Sequence, residues 1–301
     1  MVVERLNRRH ARVKLPKLGW VRFRLTRSLE GSLIRSATVT RDSGHWFVSF
    51  LVDDAITTPT QHTAPDSAVG VDRGVVVAVA SSDGRLANRD FVTDGERPRT
   101  LRLQQRLARA AKQSRNRVKT RQALSAIRAR ERRRRQDFCA QTAHELAARH
   151  GLVVIEDLKI NQMTRSAKGT IEAPGTNVKA KSGLNRAILS KGWHQFTLAL
   201  SSAARYTGTR LVTVPPHHTS QRCSACGHVD PKSRENQAVF RCTHCSHVEH
   251  ADVNAAKNIL AAGLAVTACE DSPQPSSLVV SPKQEPAGNR EELLLQPHTA
   301  A

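Results

Sequence analysis

Two Cys-x-x-Cys pairs, Cys223-Ser-Ala-Cys226 and Cys242-Thr-His-Cys245, lie fifteen residues apart. Each pair presents two thiolates from one tight turn, and the segment between them closes a tetrahedron around Zn2+. A module of this size folds around its metal, which supplies on the order of 10 kcal/mol. Four thiolates leave no position for water, so the expected zinc is structural. His228, His244, His247 and His250 nearby are read as surface groups, and the unpaired Cys139 and Cys269 as packing residues. Cysteine used this way points to a reducing compartment. The first twenty residues lack the apolar centre of a signal peptide, and no run approaches eighteen apolar residues. A cytoplasmic protein without a membrane span is expected.

The second constraint is charge. The 301 residues carry 47 Lys+Arg against 26 Asp+Glu, a net charge of +21. From Arg97 to Arg135 the pattern is helical, with sixteen basic residues and Glu131 as the one acid. A charge run is usually a solvated face, but an excess this large repels itself unless a polyanion neutralises it. Nucleic acid is the expected partner, with Arg102, Arg106, Arg109, Lys112, Arg115 and Lys119 as candidate phosphate contacts.

The remaining pattern alternates strands and helices. Residues 1–58 read as short strands, including WVRFRL (20–25) and HWFVSFLV (45–52), and a Thr/Pro/Ser/Gln-rich linker at 55–67 marks a boundary. AVGVDRGVVVAVASS (68–82) reads as one strand buried on both faces, followed by an Asp83-Gly84 turn and a returning strand over 85–92. The basic helical segment spans 97–150 and stops at Gly151. LVVIEDL (152–158) is a second buried strand, 161–184 a Gly/Ser/Lys/Thr-rich loop, 185–206 a helix, and RLVTVP (210–215) a strand. A final helix over 252–263 is closed by Gly263. The tail from 264 to 301, with five prolines and no periodicity, is expected to be disordered.

Three acids sit on these elements: Asp72 in GVDRGV, Glu156 in VVIEDL and Asp252 in HADVNAAKNI. Taken singly, Asp72 reads as a turn residue, Glu156 as a strand-end surface group and Asp252 as a helix N-cap. An acid within a buried strand is costly unless it is paired or binds a metal, so two in one sheet suggest a cation site. Three hard oxygen donors suit Mg2+ or Mn2+. In a two-metal arrangement Asp72 bridges both ions while Glu156 and Asp252 hold one each. The adjacent Asp157 is rejected as a ligand because side chains alternate across a strand.

GVDRGV, VVIEDL and TSQRCSACGHVD…FRCTHCSHVEHADVNAAKNIL together resemble the OrfB/TnpB proteins of bacterial insertion sequences, over roughly residues 12–263. Asp72, Glu156 and Asp252 match that family's RuvC-like catalytic triad, the four cysteines match its inserted zinc ribbon, and PKLGWVRFR (16–24) resembles its β-rich wedge domain. The resemblance implies an α/β, RNase H-like (RuvC-type) fold. A partial wedge-type domain would occupy 1–60, and the nuclease domain 61–218. The zinc ribbon would follow at 219–248 and the last nuclease helix at 249–263. It further implies an RNA-guided, Mg2+-dependent DNA endonuclease, guided by RNA from the transposon end and acting at the bacterial nucleoid. Two departures stand out. Arg73 replaces a more familiar hydrophobic residue, and the chain begins inside the wedge domain, without the family's N-terminal strand and helical recognition domain. The competing reading is a non-catalytic nucleic-acid binder, a remnant or a guide-dependent repressor. A basic ribosomal-type zinc-ribbon protein accounts for charge and cysteines but not for the buried acids. A tyrosine strand-transfer enzyme has only Tyr206 to work with.

Overall fold

The computed structural model describes residues 2–53, 55 and 57–270. The first five strands form two antiparallel units. One is the sheet of β1 (Val3–Asn7), β2 (His10–Leu15) and β3 (Gly19–Arg24), and the other the hairpin of β4 (Leu33–Asp42) and β5 (His45–Asp53). Ser43 and Gly44 join the hairpin at φ 51° and 87°, the left-handed turn that matches the twist of the flanking strands.

The central sheet uses β6 (Ala68–Asp72), β7 (Val79–Ser81), β8 (Leu86–Ala87), β9 (Leu152–Glu156) and β10 (Arg210–Val214), in the order β10-β9-β6-β7-β8. β9 runs parallel to both neighbours, while β7 and β8 are antiparallel additions. The apolar run 68–82 is therefore two strands and not one. The chain leaves β6 at Asp72 and turns through 73–78. Gly74 permits the turn, because a Cβ there would lie 2.5 Å from the Val77 carbonyl oxygen. The returning strand shrinks to the two residues of β8.

Helices cover both faces. α1 (Glu96–Arg109) and α2 (Arg115–Arg149) divide the basic segment that the sequence pattern reads as continuous. Ser114 caps α2 by accepting from the Arg117 amide at 3.2 Å. The Arg117 guanidinium closes α1 by donating to the carbonyls of Leu107 (2.7 Å) and Ala110 (3.0 Å). A short α3 (Ile160–Met163) precedes α4 (Val178–Lys191), which begins inside the expected loop. Gly192, at φ +74°, separates α4 from α5 (Trp193–Thr207), so the helix expected over 185–206 is broken there. On one face of the sheet, Val69, Val71, Val153 and Ile155 pack with Phe138, Cys139, Ala143 and Leu146 of α2 and with Phe196 and Leu200 of α5. Each such fully buried apolar side chain contributes roughly 1.5–3 kcal/mol.

The other face belongs to α6 (Ala251–Glu270), on which Ile259 packs with Val154 and Val214. The sheet admits this helix at unusually close range. A Cβ on Gly70 would lie 2.1 Å from the Ala256 carbonyl oxygen, and one on Gly263 would lie 2.4 Å from Val154 Cγ2. Gly263 is therefore a contact point and not a cap, and the helix continues through it to Glu270. This corrects both the helix end at 263 and the start of the irregular tail at 264; residues 271–301 of that tail lie outside the described residues. Cys269, read as a packing residue, is exposed, whereas Cys139 is buried.

Gly70→Ala is expected to destabilise the fold by about 3 kcal/mol or more, because backbone and not a flexible side chain must yield. Urea unfolding measures this, and a loss below about 0.5 kcal/mol would contradict the α6–β6 contact.

Candidate functional site

The four cysteines converge on one position. Gly227, at φ +76°, closes the first knuckle with its amide 2.9 Å from the Cys223 carbonyl, and Ser246 closes the second on the Cys242 carbonyl at 3.1 Å. The Sγ atoms of Cys223 and Cys245 are 3.7 Å apart, those of Cys226 and Cys242 3.6 Å, and all four lie within 4.8 Å of one another. Amides of Cys245 and His244 point at Cys242 Sγ at 3.4 Å each and pull its thiol below the usual range. Between the knuckles runs the short hairpin of β11 (Val239–Arg241) and β12 (Val248–His250). His228 and His244 stack with ring centroids 5.2 Å apart.

The three acids also meet, by strand alternation. Val69 and Val71 face α2 and α5, so Gly70 and Asp72 face α6; Val153 and Ile155 likewise leave Val154 and Glu156 on the α6 side. The parallel register pairs Gly70 with Val154, which brings the C-terminal ends of the two strands level. Asp252 stands on α6 one turn before Ala256, the residue pressed on Gly70. Glu156 and Asp252 are 7% and 5% exposed, so neither is a surface group. Asp157 points away and pairs with Lys159 at 2.6 Å.

Burial, then the charges of Glu156 and Asp252, push the Asp72 carboxyl up to about 7, against the pull of Arg234 and the Arg73 amide.

Three groups not singled out as ligands complete the centre. Arg73, 5% exposed, donates from Nη2 to the Glu156 carbonyl and from Nη1 to Thr197 Oγ1 (2.8 Å). Arg234, from the four-cysteine module, donates to Asp252 Oδ1 at 2.9 Å. Thr219 Oγ1 donates to Glu156 Oε1 at 2.6 Å. Arg73 was visible as a departure from the familiar motif, but nothing in the local pattern marks Arg234 or Thr219.

Arg102, Arg106, Arg109, Lys112, Arg115 and Lys119 are exposed and, among the described residues, have no ion-pair partner. The rest of the basic run is partly compensated by acids from elsewhere in the chain. Arg130 and Arg134 bind Glu96, whose carboxyl they draw down to about 2, and Arg132 and Arg133 bind Asp42. The excess charge is thus concentrated on α1 and the start of α2.

Residues 49–167 match the family model described as "Probable transposase", and residues 193–259 match "Cas12f1-like, TNB domain". The "Putative RNA-guided DNA endonuclease InsQ" of Escherichia coli (strain K12) is 38% identical over 282 residues, covering 94% of this chain and 69% of that protein. The chain belongs to the OrfB/TnpB family. A second relative, the "Putative RNA-guided DNA endonuclease" of Streptomyces pristinaespiralis, is 35% identical over 82% of this OrfB/TnpB chain and 57% of its own length. Among solved structures, a Cas12f1–sgRNA–target DNA complex aligns with a TM-score of 0.40 at 23% identity, over 74% of this chain and 55% of that one. The first family match contains Asp72 and Glu156; the second contains the four cysteines and Asp252.

The raised Asp72 carboxyl has a consequence for stability. The unfolded chain releases this proton near 3.8 and the folded chain near 7, so between those values the folded state holds the extra proton and its stability falls as pH rises. Asp72→Asn removes the slope. In buffer without added divalent cation, the variant's melting temperature is expected to exceed that of wild type by a margin that grows from pH 4 to 7 and then levels off. A margin equal at pH 5 and pH 8 would contradict the clustering of the three acids.

Proposed function

We propose that this chain is an RNA-guided, divalent-metal-dependent DNA endonuclease with a RuvC-like, RNase H-like catalytic domain, acting in the transposition or maintenance of an insertion sequence. The observation that carries the reading is the convergence of Asp72, Glu156 and Asp252 on the face of the sheet covered by α6. Oxygen donors crowded so that burial and the charges of Glu156 and Asp252 raise the Asp72 carboxyl are a fit for Mg2+ or Mn2+, because a dication relieves that repulsion. Asp72, Glu156 and Asp252 would together hold the cations. When bound, the pair of ions supplies an activated water and charge stabilisation for the leaving oxygen of a phosphodiester.

The protein's own groups set up that chemistry. Arg73 holds the main chain of Glu156 and Thr219 holds its side chain, so the carboxylate is oriented before any cation arrives. Arg234 keeps a positive charge beside Asp252. The six unpaired cations of α1, its link to α2 and the start of α2 bind the backbone of a guide RNA, from the transposon end, or of its duplex with target DNA.

The four-cysteine cage fits zinc. A tetrahedron with metal–sulfur bonds of about 2.3 Å has edges of roughly 3.8 Å, close to the observed 3.6 and 3.7 Å. Its role is structural, since four thiolates close the coordination shell. In domain terms, residues 1–60 form a wedge-type unit and 61–218 the nuclease sheet and helices. Residues 219–248 are the ribbon, and α6 returns the chain to the nuclease. Among the described residues no helix is long and apolar enough to cross a membrane.

The decisive experiment is Mg2+-dependent cleavage of a matched target plasmid by the chain co-expressed with its transposon-end RNA. Guide-dependent cutting is expected, and Asp72→Ala should abolish it while leaving RNA affinity within a few-fold. Cutting that persists in the variant would overturn the site, and RNA binding without cutting by wild type would favour the non-catalytic binder. For the cage, Cys223→Ser should lower zinc content below one ion per chain and loosen the ribbon; unchanged stoichiometry by atomic emission would refute the assignment.

A further inference from the structure

We propose that the four-cysteine module positions the Glu156 carboxylate, acting through Thr219, and thereby sets the affinity of the acid centre for its divalent cation. The inference rests on the reading of Glu156 as a metal ligand. It adds a function for the module beyond holding its own fold together.

Thr219 lies four residues before Cys223 and is 8% exposed. Its hydroxyl donates to Glu156 Oε1 at 2.6 Å, the one side-chain hydrogen bond that Glu156 makes among the described residues. Among the described residues Oε2 has no hydrogen-bond partner, which leaves it open to a cation. The Glu156 carbonyl is held separately by Arg73. The residue is therefore clamped at both ends, and Thr219 is the clamp that acts on the carboxylate.

Thr219 is in turn held by α6. Asn258 Nδ2 donates to the Thr219 carbonyl at 2.9 Å and to the Arg222 carbonyl at 2.7 Å. Asn254 Nδ2 reaches the same Arg222 carbonyl at 2.8 Å, and its Oδ1 accepts from the Ser224 amide at 2.8 Å. Ser224 sits inside the first knuckle, between Cys223 and Cys226. Asn254 is fully buried, and the two asparagines stand one turn apart on the helix that carries Asp252. Segment 219–224 thus runs from the cage to the acid centre and is pinned to α6 along its length. A hydrogen bond serving only to hold the ribbon in place would need no carboxylate ligand at its far end. Here the last bond of the chain lands on Oε1 of a carboxylate in the acid centre, beside the free Oε2.

Thr219 is a positioning residue, so the test reads metal affinity directly. Mn2+ binding to the full-length, zinc-loaded chain is measured by calorimetry. Thr219→Val deletes the hydroxyl at nearly constant shape. It is expected to weaken Mn2+ binding about 10- to 100-fold with zinc content unchanged, and Thr219→Ser should restore affinity to within about three-fold. Asn254→Ala, which leaves all four cysteines and all three acids in place, should also weaken Mn2+ binding, yet add little when combined with Thr219→Val, because both act along one route. Thr219→Val with wild-type affinity, or failure of Thr219→Ser to rescue, overturns the assignment. Full additivity of the two changes overturns the route through Thr219. A wild-type chain that binds no Mn2+ overturns the metal-ligand reading of the acids itself, an outcome distinct from the loss seen only in the variant.

Discussion

Helix α6 lies against the central sheet at a distance that only glycine allows, and most of what the molecule can do follows from that contact. Gly70 on β6 receives the backbone of Ala256, and Gly263 on the helix receives Val154 of β9. With those two points in register, the helix has no freedom to slide or rotate. Asp252, one turn upstream of Ala256, must then stand beyond the end of β6, beside Asp72 and Glu156. Asn254 and Asn258 are placed to hold the segment leading into the four-cysteine module. The same helix therefore delivers a carboxylate to the acid centre and anchors the module that precedes it.

Bringing three carboxylates to one face carries an electrostatic cost that the fold manages rather than removes. Arg73 and Arg234 reach the centre from different segments. Neither forms a closed ion pair with Asp72, whose proton affinity stays high. Elsewhere the chain treats charge differently. Glu96 and Asp42 tie down four arginines of α2 and so weld that helix to α1 and to the β4–β5 hairpin. The cations left over lie together on α1 and the first turns of α2, as an unneutralised surface suited to a phosphate backbone.

Local pattern revealed a good deal. The cysteine spacing implied a tetrahedral cage because two residues between ligands make one tight turn, and the cage is there. The strands around Asp72 and Glu156 were legible as apolar runs, and alternation correctly set Asp157 apart from Glu156. Where pattern failed, a distant partner had decided the matter. Gly263 reads as a helix stop in isolation, and only the nearness of Val154 shows that it is a contact inside a longer helix. The run 68–82 reads as one strand because its residues are uniformly apolar, yet the turn at Gly74 folds it back on itself. The basic segment looked uncompensated because Glu96 and Asp42 lie outside it.

The sequence by itself determined which residues were available for chemistry: four thiolates at ligand spacing, three acids on buried elements and a dense block of cations. Those properties are carried by residue type and short-range periodicity, which a linear chain displays openly. Only the tertiary structure decided that Thr219 would hold Glu156, that Arg234 would sit beside Asp252, and that four arginines of α2 would be spent on pairs with Glu96 and Asp42. Each of these links joins residues from separate elements. Their meeting is set by how closely α6 and α2 approach the sheet, a distance governed by packing and invisible to any local window.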